Sequence, residues 1–121
     1  MAGARPSVLV VEDNRLIAAD LAMAVEACGC SVVGPMTAVA EGLALLERQR
    51  PDGALLDVAL GAEWVWPLAD RLAACGIPFV FVSAYGVAEF PPRFRQHPRL
   101  MKPATLDALA DALRRIGIVP G

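Results

Sequence analysis

The 121-residue sequence has one histidine and three cysteines. A lone histidine, His97, cannot build a Ser/His/Asp set or a zinc cluster, and it is expected at the surface. Cys28, Cys30 and Cys75 are too few and odd in number for a disulfide framework, and Cys28-Gly29-Cys30 lacks the C-x-x-C spacing of redox and zinc sites. Buried thiols in a reducing compartment are the expectation. The segment Met1–Pro6 contains no apolar core of a signal peptide, so a cytoplasmic location is expected. Long apolar runs are also missing. The longest uncharged stretch, Leu72–Ala88, is broken by Gly76, Pro78, Ser83 and Gly86 and falls short of the ~18 residues of a membrane span. No Walker A sequence and no G-x-G-x-x-G fingerprint occurs, which removes support for nucleotide binding. A formal charge of -2 gives no field for polyanions, so neither nucleic acid nor membrane is an expected partner.

Apolar residues make up 56% of the chain and charged ones 20%, which supplies a core and excludes intrinsic disorder. The length is short of the roughly 150 residues at which a second domain becomes plausible, so residues 1-121 are expected to form a single domain with its core at about 7-116 and no output domain. Apolar runs alternate with helical patterns, the sequence form of repeated βα units around a parallel sheet. Ser7–Val11 is a continuous β-branched run with no polar face, as in a strand covered on both sides. It ends in Glu12-Asp13-Asn14, where a helix can start, and Ile17, Leu21, Val25 and Cys28 draw its apolar stripe until Gly29. Ser31–Val33 follows as the second strand. Thr37 is the expected cap of a second helix with the stripe Val39, Leu43 and Leu46, closed by Pro51. Ala54–Asp57 is the third strand. A third helix carries Leu68, Leu72 and Cys75, and Ile77–Ser83 is the fourth strand. The next crossover should hold a helix, but Pro91-Pro92 breaks one, so residues 86–96 are expected to be short or distorted. Leu100–Pro103 is a fifth strand, and Thr105 caps a last helix whose stripe is Leu106, Leu109, Leu113 and Ile116.

Parallel strands with helical crossovers place ligands at the carboxyl ends of the strands. Those ends carry Glu12 and Asp13, Asp57, Ser83 and Lys102. Crowded carboxylates repel unless a cation neutralises them, and a hard divalent ion with oxygen ligands and an affinity for phosphate is Mg²⁺. Beside such an ion a carboxylate can attack phosphorus and form an aspartyl phosphate, with a lysine and a hydroxyl neutralising the transferred oxygens. Asp57, at the centre of the expected sheet between Asp13 and Ser83, is the best-placed nucleophile.

With its acidic pair, acceptor Asp, hydroxyl residue and Lys-Pro, the chain resembles the receiver domain of two-component response regulators over about Ser7–Ile116. The resemblance implies an α/β, flavodoxin-like (βα)5 fold, a parallel five-stranded sheet of order 2-1-3-4-5 with helices on both faces. The run Pro78–Gly86 further resembles the FAT GUY subfamily of single-domain receivers, with Val82, Ser83 and Ala84 standing where that pattern has Ala, Thr and Gly. Carried over residue by residue, the resemblance implies phosphorylation of Asp57 by a sensor histidine kinase or a phosphotransfer protein. It implies Mg²⁺ held by Asp13, Asp57 and the backbone carbonyl of Ala59, with Glu12 acting through water. Lys102 would pair with the phosphate and Ser83 would move to hydrogen-bond it. Three positions before Lys102, where receivers carry an aromatic switch, stands Arg99, which leaves Tyr85 as the candidate for that role. The resemblance also implies a bacterial signalling protein, monomeric or weakly dimeric, that acts through a downstream protein partner or as a phosphate shuttle, and is no enzyme beyond its own phosphorylation and dephosphorylation.

Each residue also has a plainer explanation. Strand-end carboxylates cap helices or sit in solvated turns. Arg93, Arg95, His97, Arg99 and Lys102 form a basic run that is either a solvated loop or a docking surface, in which Arg93, Arg95 and Arg99 would contact a partner. Trp64 and Trp66 could gate the pocket, meet a partner, or pack on the third helix. Two other functional classes compete: a receiver-like module that binds without phosphate, and a Mg-dependent phosphohydrolase with an Asp nucleophile. The second usually has an acid/base Asp two residues past the nucleophile, where this chain has Ala59.

Overall fold

A computed structural model describes residues 5–84 and 86–118; Tyr85, the candidate switch, lies outside the described residues. Five parallel strands, β1 (Ser7–Val11), β2 (Ser31–Met36), β3 (Gly53–Asp57), β4 (Phe79–Ser83) and β5 (Arg99–Met101), form one sheet in the order β2-β1-β3-β4-β5. This is the expected order. A separate antiparallel ribbon pairs Ala59–Leu60 with Glu63–Trp64 directly after β3. The helices are α1 (Arg15–Ala27), α2 (Val39–Leu46), α3 (Trp66–Ala74) and α4 (Leu106–Arg115).

The period-2 geometry of the central strands sorts their side chains to two faces. Val8, Val10, Leu55, Val80 and Val82 pack beneath Leu21 and Val25 of α1 and Leu109, Ala112 and Leu113 of α4. Leu9, Val11, Leu56, Phe79 and Phe81 pack on the opposite side beneath α2 and α3. Strands β1, β3 and β4 are buried and apolar on both faces because both are covered, by helices and, beside β4, by the segment that follows it. Asn14 starts α1, its Oδ1 accepting from the Leu16 and Ile17 amides at 3.0 and 3.1 Å. Thr105 caps α4 as expected, its Oγ1 accepting from the Ala108 amide at 3.1 Å. No helix of the described residues is long and apolar enough to cross a membrane.

Four expectations about β2, α2 and α4 need correcting. β2 runs on to Met36 through a bulge opposite β1, where Gly34 has φ +101° and a Cβ would lie 2.8 Å from the Met36 amide nitrogen. The buried stripe of α2 is Val39, Gly42 and Leu45, with Leu43 and Leu46 half-buried, because Gly42 lets Leu68 of α3 approach to where a Cβ would be 2.6 Å from its Cδ2. Thr37 does not cap α2. Its amide and hydroxyl both donate to Glu41 Oε1, at 2.8 and 2.9 Å, while the Val39 amide donates to Glu63 Oε2 at 3.1 Å. Leu106 is 49% exposed and Ala112 takes its place in the α4 stripe.

Between β4 and β5 the described chain makes two short 3-10 turns, Val87–Glu89 and Pro92–Phe94. The expected distortion is there, and Phe90 and Phe94 fill the space a helix would occupy, at 2% and 5% exposure. Their rings meet Trp66, Phe81 and Phe79 in a cluster with centroid separations of 5.1 to 6.0 Å. His97, expected at the surface, is half-buried. Its ring stacks on Phe79 at 4.0 Å and its Nε2–H donates to the Phe79 carbonyl at 2.8 Å. Burial holds its pKa below the ordinary value, partly offset by that hydrogen bond.

Candidate functional site

The pairing of Val11 with Leu56 and of Asp57 with Val82 sets the ends of β1, β3 and β4 side by side. Glu12 is fully buried and Asp57 is 5% exposed, whereas Asp13 is exposed. One oxygen from each of the three carboxylates lies within 4.8 Å of the others. Lys102, just past β5, closes the group: its Nζ is 2.7 Å from Glu12 Oε1 and 3.1 Å from Asp57 Oδ1. Glu12 Oε2 accepts from the Asn14 amide at 3.0 Å, which ties the start of α1 to the cluster. Asp13 Oδ2 accepts from the Gly61 amide at 2.8 Å. Ser83 is fully buried at the end of β4, and its carbonyl accepts from the Lys102 amide at 2.9 Å.

Three carboxylates against one ammonium leave unneutralised negative charge in a site mostly removed from water. Asp57 records it: burial, a hydrogen bond shared with Glu12 and the Glu12 charge push its pKa to about 7, against the pull of Lys102. Lys102 shows the complement. Burial works to lower its pKa, but the hydrogen bonds to Glu12 and Asp57 prevail and raise it. An excess of converging carboxylate oxygens fits a hard divalent cation, and Glu12, Asp13 and Asp57 form a group that could hold one.

Among the predicted site residues, Glu12, Asp13, Asp57 and Lys102 come together, and Ser83 ends the neighbouring strand. Ala59 opens the ribbon, paired with Trp64. Arg93, Arg95 and Arg99 are exposed, with hydrogen bonds directed elsewhere. Arg93 makes a two-pronged pair with Asp70 of α3 at 2.8 Å for each contact and lies over the Phe94 ring. Arg95 donates to the Phe90 carbonyl at 3.2 Å, and Arg99 to the Arg95 carbonyl at 3.5 Å. Trp66 packs into the aromatic cluster, while Trp64, 44% exposed, stacks on it at 6.0 Å. Sequence reasoning missed Gly61 and Glu63. The only signal was a glycine four residues after the acceptor, in a stretch whose ribbon no periodicity marks.

No protein-family model matches the chain. SdrG from Sphingomonas melonis Fr1, known from a solution structure, is 39% identical, with 96% of this chain and 98% of that one covered at a TM-score of 0.82. The signal receiver domain of a modulated diguanylate cyclase from Desulfovibrio desulfuricans G20 is 36% identical over 93% of this chain and 94% of that one, TM-score 0.82. A further structure shows SdrG, there assigned to Pseudomonas melonis Fr1, in its BeF3-activated conformation, with 42% identity, coverage of 94% and 97%, and a TM-score of 0.78. The phyllosphere-induced regulator PhyR of Methylorubrum extorquens is 33% identical over 81 residues, 64% of this chain but only 30% of that relative's length. The sheet order, the strand-end cluster and near-complete coverage of SdrG and of the Desulfovibrio receiver domain agree: the chain belongs to the receiver domains of two-component response regulators and resembles their FAT GUY subfamily.

Proposed function

We propose that the chain is a phosphorylation-controlled switch in which Asp57 accepts a phosphoryl group from a phosphohistidine of a sensor kinase or phosphotransfer protein. The observation that carries this reading is a carboxylate at the carboxyl end of the central strand, 5% exposed, with an ammonium at 3.1 Å and two more carboxylates beside it. An Asp57 oxygen attacks phosphorus as the P–N bond breaks, and the electron pair stays with the imidazole, which takes up a proton. Mg²⁺, held by Asp13, Asp57 and the Ala59 carbonyl with Glu12 acting through water, would supply positive charge for the phosphoryl oxygens and favour ionised Asp57. Lys102 then pairs with the phosphate, and Ser83 hydrogen-bonds it.

Phosphate adds roughly two negative charges where carboxylates already crowd, so the partition between conformations of the segment beyond β4 changes. That segment begins at Ser83 and presents Arg93 and Arg95, with Arg99 on β5, as the surface for a downstream protein partner. Tyr85 takes the switch role that Arg99 cannot. SdrG is described in a BeF3-activated conformation, and beryllofluoride mimics a phosphoryl group, which supports the same chemistry here. The test is intact mass after incubation with Mg²⁺ and acetyl phosphate, for wild type and Asp57→Ala. One phosphoryl group on wild type alone is expected. No adduct on either protein, repeated with candidate kinases, would leave the phosphate-independent binding module as the better reading. Turnover of small phosphomonoesters would instead favour the phosphohydrolase.

A further inference from the structure

Asp13 is the exposed member of the carboxylate group, and an exposed aspartate on its own samples several rotamers. Here the turn of the ribbon restrains it: the Gly61 amide donates to Asp13 Oδ2 at 2.8 Å across a sequence separation of 48. Gly61 has φ +62°, the left-handed backbone of the tight turn between the two ribbon strands, which favours glycine. The ribbon is held on its other side. Ala59 pairs with Trp64, Glu63 Oε2 accepts from the Val39 amide of α2, and Trp64 stacks on Trp66 of α3. The donor therefore sits at a point fixed by α2 and α3, not at the tip of a free loop. A carboxylate that spends one oxygen on this donor retains lone pairs on both.

We infer that the Gly61 amide is a positioning group for Asp13, fixing the carboxylate in the orientation that a divalent cation requires. This rests on the proposed Mg²⁺ site and adds a residue to it. Outer contacts of this kind typically change metal affinity by about 10- to 100-fold when removed.

The test is Mg²⁺ affinity by titration calorimetry for wild type, Gly61→Asn and Gly61→Pro, with metal-free circular dichroism on each. Asn tolerates positive φ and retains the N–H, so its affinity should stay within about threefold of wild type, while Pro, lacking the donor, should bind at least about tenfold more weakly. Wild-type affinity in Gly61→Pro overturns the inference while leaving the metal site intact, as does an equal loss in both variants. No Mg²⁺ binding by wild type overturns the site and the inference together. If Gly61→Pro does not fold, amide exchange of Gly61 in wild type decides. Protection that persists at saturating Mg²⁺ supports positioning, and protection lost on binding shows that the ion displaces the contact and overturns it.

Discussion

The two faces of the sheet solve the same burial problem with different materials. Beneath α1 and α4 the strands present Val8, Val10, Leu55, Val80 and Val82, an aliphatic layer covered by two regular helices. On the other face α2 and α3 cover β1 and β3, but beside β4 two 3-10 turns replace a helix, and Phe79, Phe81, Phe90, Phe94, Trp66 and the His97 ring fill the space. A short turn buries few side chains, so those it buries must be large. The irregular face is the one contiguous with Ser83. The two faces therefore divide the work: one gives the sheet a regular support, and the other joins the site to a segment whose described residues form only short 3-10 turns.

Truncation of a ring should separate the faces most strongly. Phe90→Ala removes a side chain that is 2% exposed and meets Trp66 and Phe81 at 5.1 and 5.2 Å. A loss of about 3 to 5 kcal/mol by urea unfolding is expected, against about 2 to 5 for Leu109→Ala on the aliphatic face. Similar totals would hide the distinction that amide exchange reveals. Phe90→Ala should release residues 86–98 while α1 and α4 stay protected, and Leu109→Ala should raise exchange in both helices. Equal release of all elements by Phe90→Ala would show that the faces unfold as a unit and would break the comparison.

Acid sharpens it. His97 is the titrating group of the aromatic cluster, and its folded pKa lies below the ordinary 6.5. A depressed pKa means the folded state favours neutral imidazole, so this stabilisation is complete above pH 6.5 and is lost as pH falls through the folded pKa. His97→Phe keeps a ring and removes the titration. The stability difference between wild type and variant, measured in chelator, should move against wild type from pH 7 to pH 5. Asp57 acts in the opposite sense, its raised pKa withdrawing stability as pH rises towards about 7, but it contributes equally to both proteins and cancels in the difference. A pH-independent difference would mean that the His97 pKa is the same in the folded and unfolded chains and would overturn the depressed value.

The parts that were legible in the sequence are those fixed by periodicity and by strand ends. Uninterrupted apolar runs gave β1, β3 and β4, and the residue following each run gave Glu12, Asp13, Asp57 and Ser83, because a parallel sheet aligns its carboxyl ends. Pro91-Pro92 marked the irregular crossover through the loss of donors. The His97 contact was hidden because a polar ring between Gln96 and Pro98 has no apolar pattern around it, and it is stacking on Phe79, distant in sequence, that covers part of it. The phase of α2 was hidden for a related reason. Gly42 counts as a weak helix residue in any stripe, yet it is buried because Leu68 needs its missing Cβ. Glu63 and Gly61 act through contacts to Val39 and Asp13, sequence-remote pairs that no spacing rule reaches.

The smallest effect concerns the join between the ribbon and the regular part of the aromatic face. Glu63 Oε2 satisfies the Val39 amide, an orphan donor at the start of α2 that Ala38, the residue in the cap position, has no side-chain oxygen to meet. Glu63→Ala should cost about 0.5 to 2 kcal/mol, the range for loss of a helix cap, whereas Glu63→Gln, which retains an acceptor oxygen, should recover most of it. Exchange of the Val39 amide should rise in the alanine variant and remain near wild type in the glutamine variant. Because Glu63 and Gly61 share the ribbon, the alanine variant should also loosen the Gly61 amide, though less than it loosens Val39. If Val39 is released and Gly61 is not, the turn is held without the Glu63 contact, and the link between α2 and the carboxylate site is absent.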